Sequence, residues 1–390
     1  MTHLNSTTQV SEQMSLAGKI VLFLVTEDWY FCSHRMPIAR AARDMGAKVI
    51  VATRVNKHGD AITSEGFHVH PIAFDRSGLN PIKDFKTLRQ IIKCYQQIKP
   101  DLVHHVAMKP ALYGSLAAIW AKVPATVNAM AGLGFMFISN GRTAKLLRPF
   151  VKLAFRLLNN RKNSCIILQN ADDADVFINE IRVGKNHVKV IRGSGIDINA
   201  YSVSPEPSLP IIASCVSRML WDKGIGELVE AAKLLKARGV PLTIRLVGPT
   251  DNNPTSIPQR ILDAWHSEGL VEVVGPSTDI ARIYADSHIA VLPSYREGLP
   301  KSLLEAAACG RAMVATDVAG CREICREGET GLLVPARSAV ALADALQKLT
   351  EDKTLRKKMA TNARRTAEGD FAETIIARQT TNLYLEMLRR

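Results

Sequence analysis

The stretch IAVLPSYREGLPKSLLEAAACGR, residues 289–311, shows how the chain folds. Its first four residues, Ile289 to Leu292, are apolar and predict a buried strand. After a short loop a helical pattern begins near Pro300, which suits a first helical turn because the missing proline N–H would have no partner there. A buried strand followed by a loop and a crossover helix is the repeating unit of a parallel, doubly wound sheet.

The same alternation of apolar runs and helical patterns extends in both directions along the chain. In the second half the strand candidates are Ile211–Ser217, Leu242–Val247, Leu270–Val274, Ile289–Leu292 and Ala312–Ala315. In the first half they are Ile20–Thr26, Lys48–Thr53, Asp101–Ala107, Ala125–Met130, Ser164–Leu168 and Lys189–Ile191. A segment rich in Gly, Ser and Pro, residues 193–209, separates the two series. The chain is therefore expected to form two doubly wound α/β domains, 1–195 and 196–370.

Composition excludes several classes of protein. Hydrophobic residues make up 47% and charged residues 22% of the 390 residues, which is typical of a globular protein and excludes a disordered or fibrous one. The seven cysteines are an odd number without a C-x-x-C pair, which argues against a zinc site or a disulfide framework. Reduced thiols of this kind favour a cytoplasmic protein.

The net charge of +13 is concentrated in the first half. Residues 1–200 contain 26 Lys and Arg against 14 Asp and Glu, whereas the remainder contains 24 against 23. The stretch from Asp101 to Asp172 has no carboxylate between its ends and nine basic residues. Such a field attracts phosphate, anionic lipid or nucleic acid.

Two carboxylates flank the predicted helix start in the 289–311 stretch. The backbone N–H groups near Gly298 and Leu299 would face the carboxyl end of the strand, where they can bind a diphosphate. Glu297 and Glu305 lie eight residues apart and so address two different parts of an elongated ligand, such as sugar and ribose hydroxyls. A charge near the helix cap and a surface glutamate explain the same spacing equally well.

A second loop in this half carries cations. Arg218 and Lys223 follow the strand at 211–217, in the segment RMLWDKG. Because the carboxyl ends of parallel strands share one edge of a sheet, both side chains are expected to reach the same diphosphate. Two solvated surface cations are the alternative interpretation.

These motifs carry a family resemblance. RMLWDKG, SYREGLPKSLLEAAACG, DVAGCREI and GETGLLVP together resemble the donor domain of the retaining glycosyltransferases of family 4. The resemblance implies the GT-B fold, in which two Rossmann-like domains face a central cleft and the final helix, residues 371–390, packs back on the first domain. It also implies site roles: Glu297 contacts the donor sugar as a catalytic residue, Glu305 binds the ribose, and Arg218 and Lys223 hold the donor diphosphate.

The expected chemistry needs no metal cofactor. Positive charge from Arg218, Lys223 and the helix N–H groups would stabilise the departing nucleoside diphosphate. The sole carboxylate cluster in the sequence, Asp172, Asp173 and Asp175, follows Asn170, a pattern typical of a capped helix N-terminus rather than of a metal site. Retention of anomeric configuration follows from the resemblance alone.

The acceptor side is expected in the first half. His104 and His105 end the strand at 101–107, and we take His105 as the catalytic histidine of the family, although a core histidine explains the position equally well. Lys109 is a candidate for an acceptor phosphate, and Gly132 and Gly134 form a loop that resembles family members acting on polyprenyl-diphosphate-linked sugars.

The segment 145–162 has the pattern of a membrane-surface helix. At about 100° per residue, Lys145, Arg148, Lys152 and Arg156 form one basic stripe. A broad apolar face lies beside them, as in helices that lie on an anionic bilayer. An ordinary helix that covers the sheet is the alternative interpretation.

Together these patterns predict a cytoplasmic glycosyltransferase at the inner face of a membrane. It would move a hexose or N-acetylhexosamine from a nucleoside-diphosphate sugar, with UDP as the expected nucleotide, to a saccharide on undecaprenyl diphosphate. A nucleotide-sugar epimerase of the same fold and a non-catalytic binder of anionic lipid or nucleic acid remain alternatives. Aromatic residues, at 6% of the chain, are too sparse for base stacking, so nucleic acid is not the expected partner.

Overall fold

The computed structural model describes residues 15–74, 80–132, 142–251 and 253–390, with the backbone alone for residues 142–144. The chain divides into two compact units, residues 1–195 together with 373–390, and residues 196–372. The first boundary coincides with the one expected from the Gly-, Ser- and Pro-rich segment, and the second lies two residues beyond the expected one.

The first unit is built on a seven-stranded parallel sheet with the order β3-β2-β1-β4-β5-β6-β7. Its strands are β1 (Ile20–Glu27), β2 (Lys48–Arg54), β3 (His68–Pro71), β4 (Leu102–Val106), β5 (Ala125–Ala129), β6 (Ser164–Leu168) and β7 (Val188–Val190). The central strands are apolar along almost their whole length because helices cover both faces. In β1, Phe23 packs in the core on one face and Leu24 in the core on the other.

In the described part of this unit, seven α-helices lie between the strands. They are α1 (Asp28–His34), α2 (Met36–Asp44), α3 (Gly59–Ser64), α4 (Pro81–Ile98), α5 (Met108–Trp120), α6 (Arg142–Asn159) and α7 (Ala171–Asp175). Helix α4 begins as its sequence requires: the Asn80 side chain accepts hydrogen bonds from the N–H groups of Ile82 and Lys83, and Pro81 occupies the first helical position.

The last helix of the chain spans Glu373–Arg389 and belongs to the first unit. It is called α15, because α8 to α14 belong to the second unit. It packs against α2 and places Ile376, Leu383 and Tyr384 in the core on the Phe23 face of the sheet. The sequence alone left the docking side of this helix open, and the family resemblance implied the side that is observed.

The second unit has a six-stranded parallel sheet with the order β10-β9-β8-β11-β12-β13. Its strands are β8 (Ile211–Val216), β9 (Leu242–Val247), β10 (Glu272–Gly275), β11 (Ile289–Leu292), β12 (Ala312–Thr316) and β13 (Gly331–Val334). Its helices are α8 (Ile225–Ala237), α9 (Gln259–Ser267), α10 (Ile280–Ala285), α11 (Lys301–Ala308), α12 (Ala319–Arg322), α13 (Ala339–Glu351) and α14 (Lys353–Asp370).

Both faces of the second sheet are covered as well. Val291 of β11 packs in the core that contains α8 and α13, and its neighbour Leu292 packs in the core that contains α11 and α14. The expected fold class, two doubly wound Rossmann-like units, is confirmed. Among the described residues, no helix is both long enough and apolar enough to cross a bilayer.

Candidate active site

Two loops of the second unit pack directly against each other at one edge of its sheet. Strands β8 and β11 are neighbours, so the loops that follow them, residues 217–224 and 293–300, leave the sheet side by side. The Tyr295 N–H donates to the Asp222 carbonyl at 2.9 Å. Gly224 has a φ of +70°, and a Cβ there would lie 2.1 Å from the Pro293 carbonyl oxygen. The backbones therefore fix the distance between the two motifs, and glycine is required at the point of contact.

The ion pair of Lys223 and Glu297 joins the two loops through their side chains. Both side chains are mostly shielded, with 20% of Lys223 and 12% of Glu297 exposed. Because little water screens the two charges, their Coulomb attraction exceeds that of a surface pair, and the cost of removing both groups from water offsets part of this gain. The structure therefore brings together two residues that the sequence assigned to one site.

Arg218 lies in the same loop but is more open to solvent. Its side chain is 52% exposed, and its guanidinium donates to Asp251 at 2.8 Å. Asp251 follows β9, the next strand of the sheet. Exposed pairs contribute about 0–1 kcal/mol, so Arg218 can exchange Asp251 for another anion at small cost.

Glu305 lies inside helix α11 and is 6% exposed. Its carboxylate accepts a hydrogen bond from the Tyr201 hydroxyl at 2.9 Å, and the Lys301 ammonium lies 3.7 Å away. Burial raises the pKa of the Glu305 carboxyl, although Lys301 and the Tyr201 hydrogen bond oppose this. The surface-residue interpretation of Glu305 is therefore wrong, since the side chain is buried and held in one orientation.

A third glycine motif closes on the start of α11. A Cβ at Gly320 would lie 2.4 Å from the Gly298 carbonyl oxygen and 2.8 Å from that of Glu297. The segment DVAGC thus supports the loop that carries Glu297, Gly298 and Leu299. Helix α11 follows at Lys301, with Pro300 as its N-cap. Its first N–H groups have no partner inside the helix and so form an anion-binding surface beside Glu297.

Sequence reasoning missed three residues of this site. Tyr201 holds Glu305, Asp251 holds Arg218, and Tyr295 donates to Glu227 at 2.6 Å. Asp251 and Tyr295 had a signal, because each follows an apolar strand of the same parallel series. Tyr201 belongs to the segment between the two strand series, where no periodicity indicates its position.

The first unit places His105 in its interior. The ring is fully buried, with Nε2 3.0 Å from the Tyr95 hydroxyl and Nδ1 2.7 Å from Asn128 Oδ1. A Cβ at Gly114 would lie 2.5 Å from the ring, so helix α5 closes over it. Burial lowers the pKa of His105 to about 4. This neutral, fully bonded histidine fits the core interpretation, and its placement gives no support to the expected catalytic role.

The other acceptor-side residues are only partly described. The Lys109 ammonium lies 3.1 Å from Asp84 Oδ1, so a carboxylate already balances its charge. Gly132 has a φ of +129°, a conformation that favours glycine, whereas Gly134 lies outside the described residues. The acceptor-side role of these three residues stays a prediction.

The aspartates at 172–175 are part of a capped helix. The Asn170 side chain accepts from the Asp173 N–H at 2.7 Å and donates to the Asp173 carboxylate at 3.2 Å. This is the capping arrangement that the sequence predicts for α7. In the described parts of the chain, no group of three or more His, Cys, Asp or Glu side chains is placed to hold a metal ion.

Comparison with known proteins identifies the family of both units. Residues 20–170 match the family model described as glycosyl transferase 4-like, and residues 210–352 match the model of glycosyl transferases group 1. Among solved structures, HepE of Anabaena in complex with UDP superposes with a TM-score of 0.76 over 94% of this chain and 100% of its own, at 19% identity. That likeness shows a shared fold.

Two curated relatives align with most of the chain. The N,N'-diacetylbacillosaminyl-diphospho-undecaprenol α-1,3-N-acetylgalactosaminyltransferase of Campylobacter jejuni is 31% identical over 91% of this chain and 95% of its own length. The UDP-Gal:α-D-GlcNAc-diphosphoundecaprenol α-1,3-galactosyltransferase of Escherichia coli is 24% identical over 79% and 81%. With the family models in both units and the paired loops of the second, these matches establish that the chain is a GT-B glycosyltransferase, a member of the group 1 and 4-like family.

Proposed function

We propose that this enzyme transfers a hexose or N-acetylhexosamine from a nucleoside-diphosphate sugar to a saccharide carried on undecaprenyl diphosphate. The observation that carries the proposal is the Lys223–Glu297 contact, which joins two loops at the N-terminus of α11. The names of the two relatives support an acceptor linked to undecaprenyl diphosphate. Two findings support UDP as the nucleotide of the donor: one relative is named for UDP-Gal, and HepE was solved in complex with UDP.

Donor binding is expected to replace two ion pairs of the site, Lys223–Glu297 and Arg218–Asp251. The diphosphate replaces Glu297 as the partner of Lys223 and Asp251 as the partner of Arg218. Both cations then contact phosphate oxygens. Glu297, released from Lys223, then accepts hydrogen bonds from the donor sugar. Glu305 accepts from the ribose hydroxyls, and the N–H groups at Gly298 and Leu299 bind phosphate. Each of the two cations is therefore paired with a carboxylate until the diphosphate replaces that carboxylate.

The chemistry follows from this charge arrangement. The bond between the anomeric carbon and the β-phosphate oxygen breaks, negative charge grows on the phosphate, and Arg218, Lys223 and the start of α11 stabilise it. The acceptor oxygen attacks the same face, and its proton passes to the departing phosphate, which retains the configuration. Both relatives are named for α-1,3 linkages, which an α-configured donor gives by retention. We propose that this step proceeds without a metal ion.

Helix α6 supplies a membrane-facing surface on the first unit. Its apolar residues divide into two faces: Phe155 and Leu158 are buried against the unit, whereas Leu146, Phe150, Leu153 and Leu157 are 50–71% exposed. The exposed four recur at helical spacing and form one stripe. Lys145 and Arg156 are exposed beside them. The buried face fits a helix that covers the sheet, and the exposed face remains available to a membrane surface.

We propose that this stripe rests on the anionic cytoplasmic face of a membrane. Exposed apolar side chains flanked by cations are the features of interfacial helices. Arg148 and Lys152 are less exposed, and Lys152 also contacts Glu180 at 2.7 Å. On the neighbouring helix α5, Trp120 is also exposed, at 72%. Peripheral attachment of this kind would bring the enzyme to its lipid-linked acceptor.

Lys223→Met should abolish most transfer. Removing one preorganised positive group from the departing phosphate is expected to lower kcat about 100-fold or more. The assay uses UDP-sugars with a polyprenyl-diphosphate-linked saccharide, with and without EDTA, and reads the anomeric configuration of the product by NMR. Lys233→Met is the matched control, because Lys233 is exposed and pairs with Glu230 on the surface of α8. Wild-type activity of Lys223→Met would contradict the proposed site.

Binding of a UDP-sugar should weaken as the pH falls from 8 to 5. The raised pKa of Glu305 means that it takes up a proton at a higher pH than an ordinary glutamate, and the protonated form is a poorer acceptor for ribose hydroxyls. Glu305→Gln should bind about tenfold more weakly at pH 8 and show little pH dependence. Calorimetry with a UDP-sugar rather than UDP avoids titration of a terminal phosphate. An equal pH slope in both proteins would exclude the role of Glu305.

Replacing Lys145, Arg148, Lys152 and Arg156 with Gln should release the protein from acidic vesicles. Each cation near an anionic surface contributes about 1 kcal/mol, so the binding constant should fall about 100-fold or more. The matched control replaces four exposed cations of α14 with Gln, namely Lys353, Lys357, Lys358 and Arg365. Co-sedimentation with phosphatidylglycerol vesicles measures both variants. Equal loss in the control would show that net charge, and not α6, causes binding.

A further inference from the structure

Among the described residues, Arg35 is a buried cation without an anionic partner. It lies between α1 and α2, its side chain is 3% exposed, and its Nε is buried without a hydrogen bond. Its recorded hydrogen bond runs from a terminal nitrogen to the His34 carbonyl at 3.3 Å. In the part of the chain that the structure describes, no carboxylate lies within ion-pair distance of it. Burying a charge in this way is costly unless a counter-ion accompanies it.

His104 presents a second unpaired nitrogen nearby. Its ring is 1% exposed, Nδ1 lies 2.5 Å from the Tyr384 hydroxyl, and Nε2 is buried without a partner. Burial and the charge of Arg35 lower the pKa of His104 well below its usual value, so the ring is neutral. Among the described residues, His104 is the recorded partner of the Tyr384 hydroxyl, which therefore donates to Nδ1. The single ring proton is then on Nε2, which becomes a hydrogen-bond donor.

Arg35 and His104 line the same small cavity in the first unit. Ile38, Ala129, Ile167 and Ile191 form apolar parts of its wall, and the remaining lining residues include no carboxylate. The cavity has a volume of about 10 Å³. This is the space for a single water-sized particle, and a phosphate group does not fit.

We propose that this cavity is a halide site, occupied by chloride, with Arg35 Nε–H and His104 Nε2–H as its donors. Two donors and a full positive charge line a cavity whose ten lining residues include no carboxylate, which suits an anion. Gln169 and Thr380 add polar side chains to its wall. A water molecule would accept both hydrogen bonds but would leave the guanidinium charge uncompensated. All the lining residues of the site belong to the first unit, and the proposal stands independently of the proposed reaction.

The bound ion would stabilise the first unit by connecting three of its secondary-structure elements. Arg35 precedes α2, His104 belongs to the central strand β4, and Tyr384 of α15 orients the His104 ring. A ligand that binds only the folded state raises stability in proportion to the logarithm of its concentration. Unfolding of the first unit should therefore depend on the identity of the anion in the buffer, even at constant ionic strength.

The test measures thermal unfolding in sodium chloride, bromide, gluconate and phosphate at equal ionic strength. Chloride or bromide at 100 times its dissociation constant should raise Tm by about 5–10 °C relative to gluconate. Arg35→Met should remove this difference. Arg40→Met is the matched control in the helix that follows Arg35, because Arg40 is exposed and paired with Glu65, and it should keep the full halide effect.

Crystals of the wild-type protein grown in sodium bromide give a second measurement that needs no variant. An anomalous peak between Arg35 Nε and His104 Nε2 is expected. A water peak without anomalous signal, or equal Tm values in halide and gluconate, would overturn the proposal. Stabilisation by phosphate equal to that by chloride would also overturn it, since the cavity is too small for phosphate.

Discussion

The active site depends on a close approach of two backbones. Gly224 and Pro293 meet at a distance that no side chain at 224 would permit, and the Tyr295 N–H bonds to Asp222 across the same contact. These contacts fix the loops after β8 and β11 relative to each other before any ligand arrives. Preorganisation of this kind is what electrostatic catalysis requires, because the charges need not move far when the leaving group departs. The Lys223–Glu297 pair is a consequence of this packing.

Most of the fold could be predicted because its central strands are continuously apolar. Eleven of the strands lie where apolar runs indicate them, including β1, β8 and β11. The two that were missed, β3 and β13, are short edge strands, and β3 reads HVHP, with polar side chains and a proline. Strand β3 therefore has no apolar run that periodicity could reveal, whereas β13 reads GLLV, an apolar run that the sequence analysis did not assign to a strand.

The site residues that directly follow a strand could be predicted from the sequence. The residues that reach the site through a contact distant in sequence could not. Lys223 and Glu297 follow adjacent strands, and their meeting follows from the sheet order. Tyr201 reaches Glu305 from a segment without periodicity, so no local signal exists. For His105 the sequence left a catalytic and a core interpretation open, and only the structure shows that its ring bonds to Tyr95 and Asn128 in the interior.

The central claim is that the loops 217–224 and 293–300 bind the donor as one unit. Hydrogen exchange measured by mass spectrometry, with and without a saturating UDP-sugar, tests this directly, because bound donor slows exchange of the amides it contacts or orders. The account predicts slower exchange in both loops and at the start of α11 on adding the donor. Unchanged exchange in these segments, or protection of one loop without the other, would contradict it.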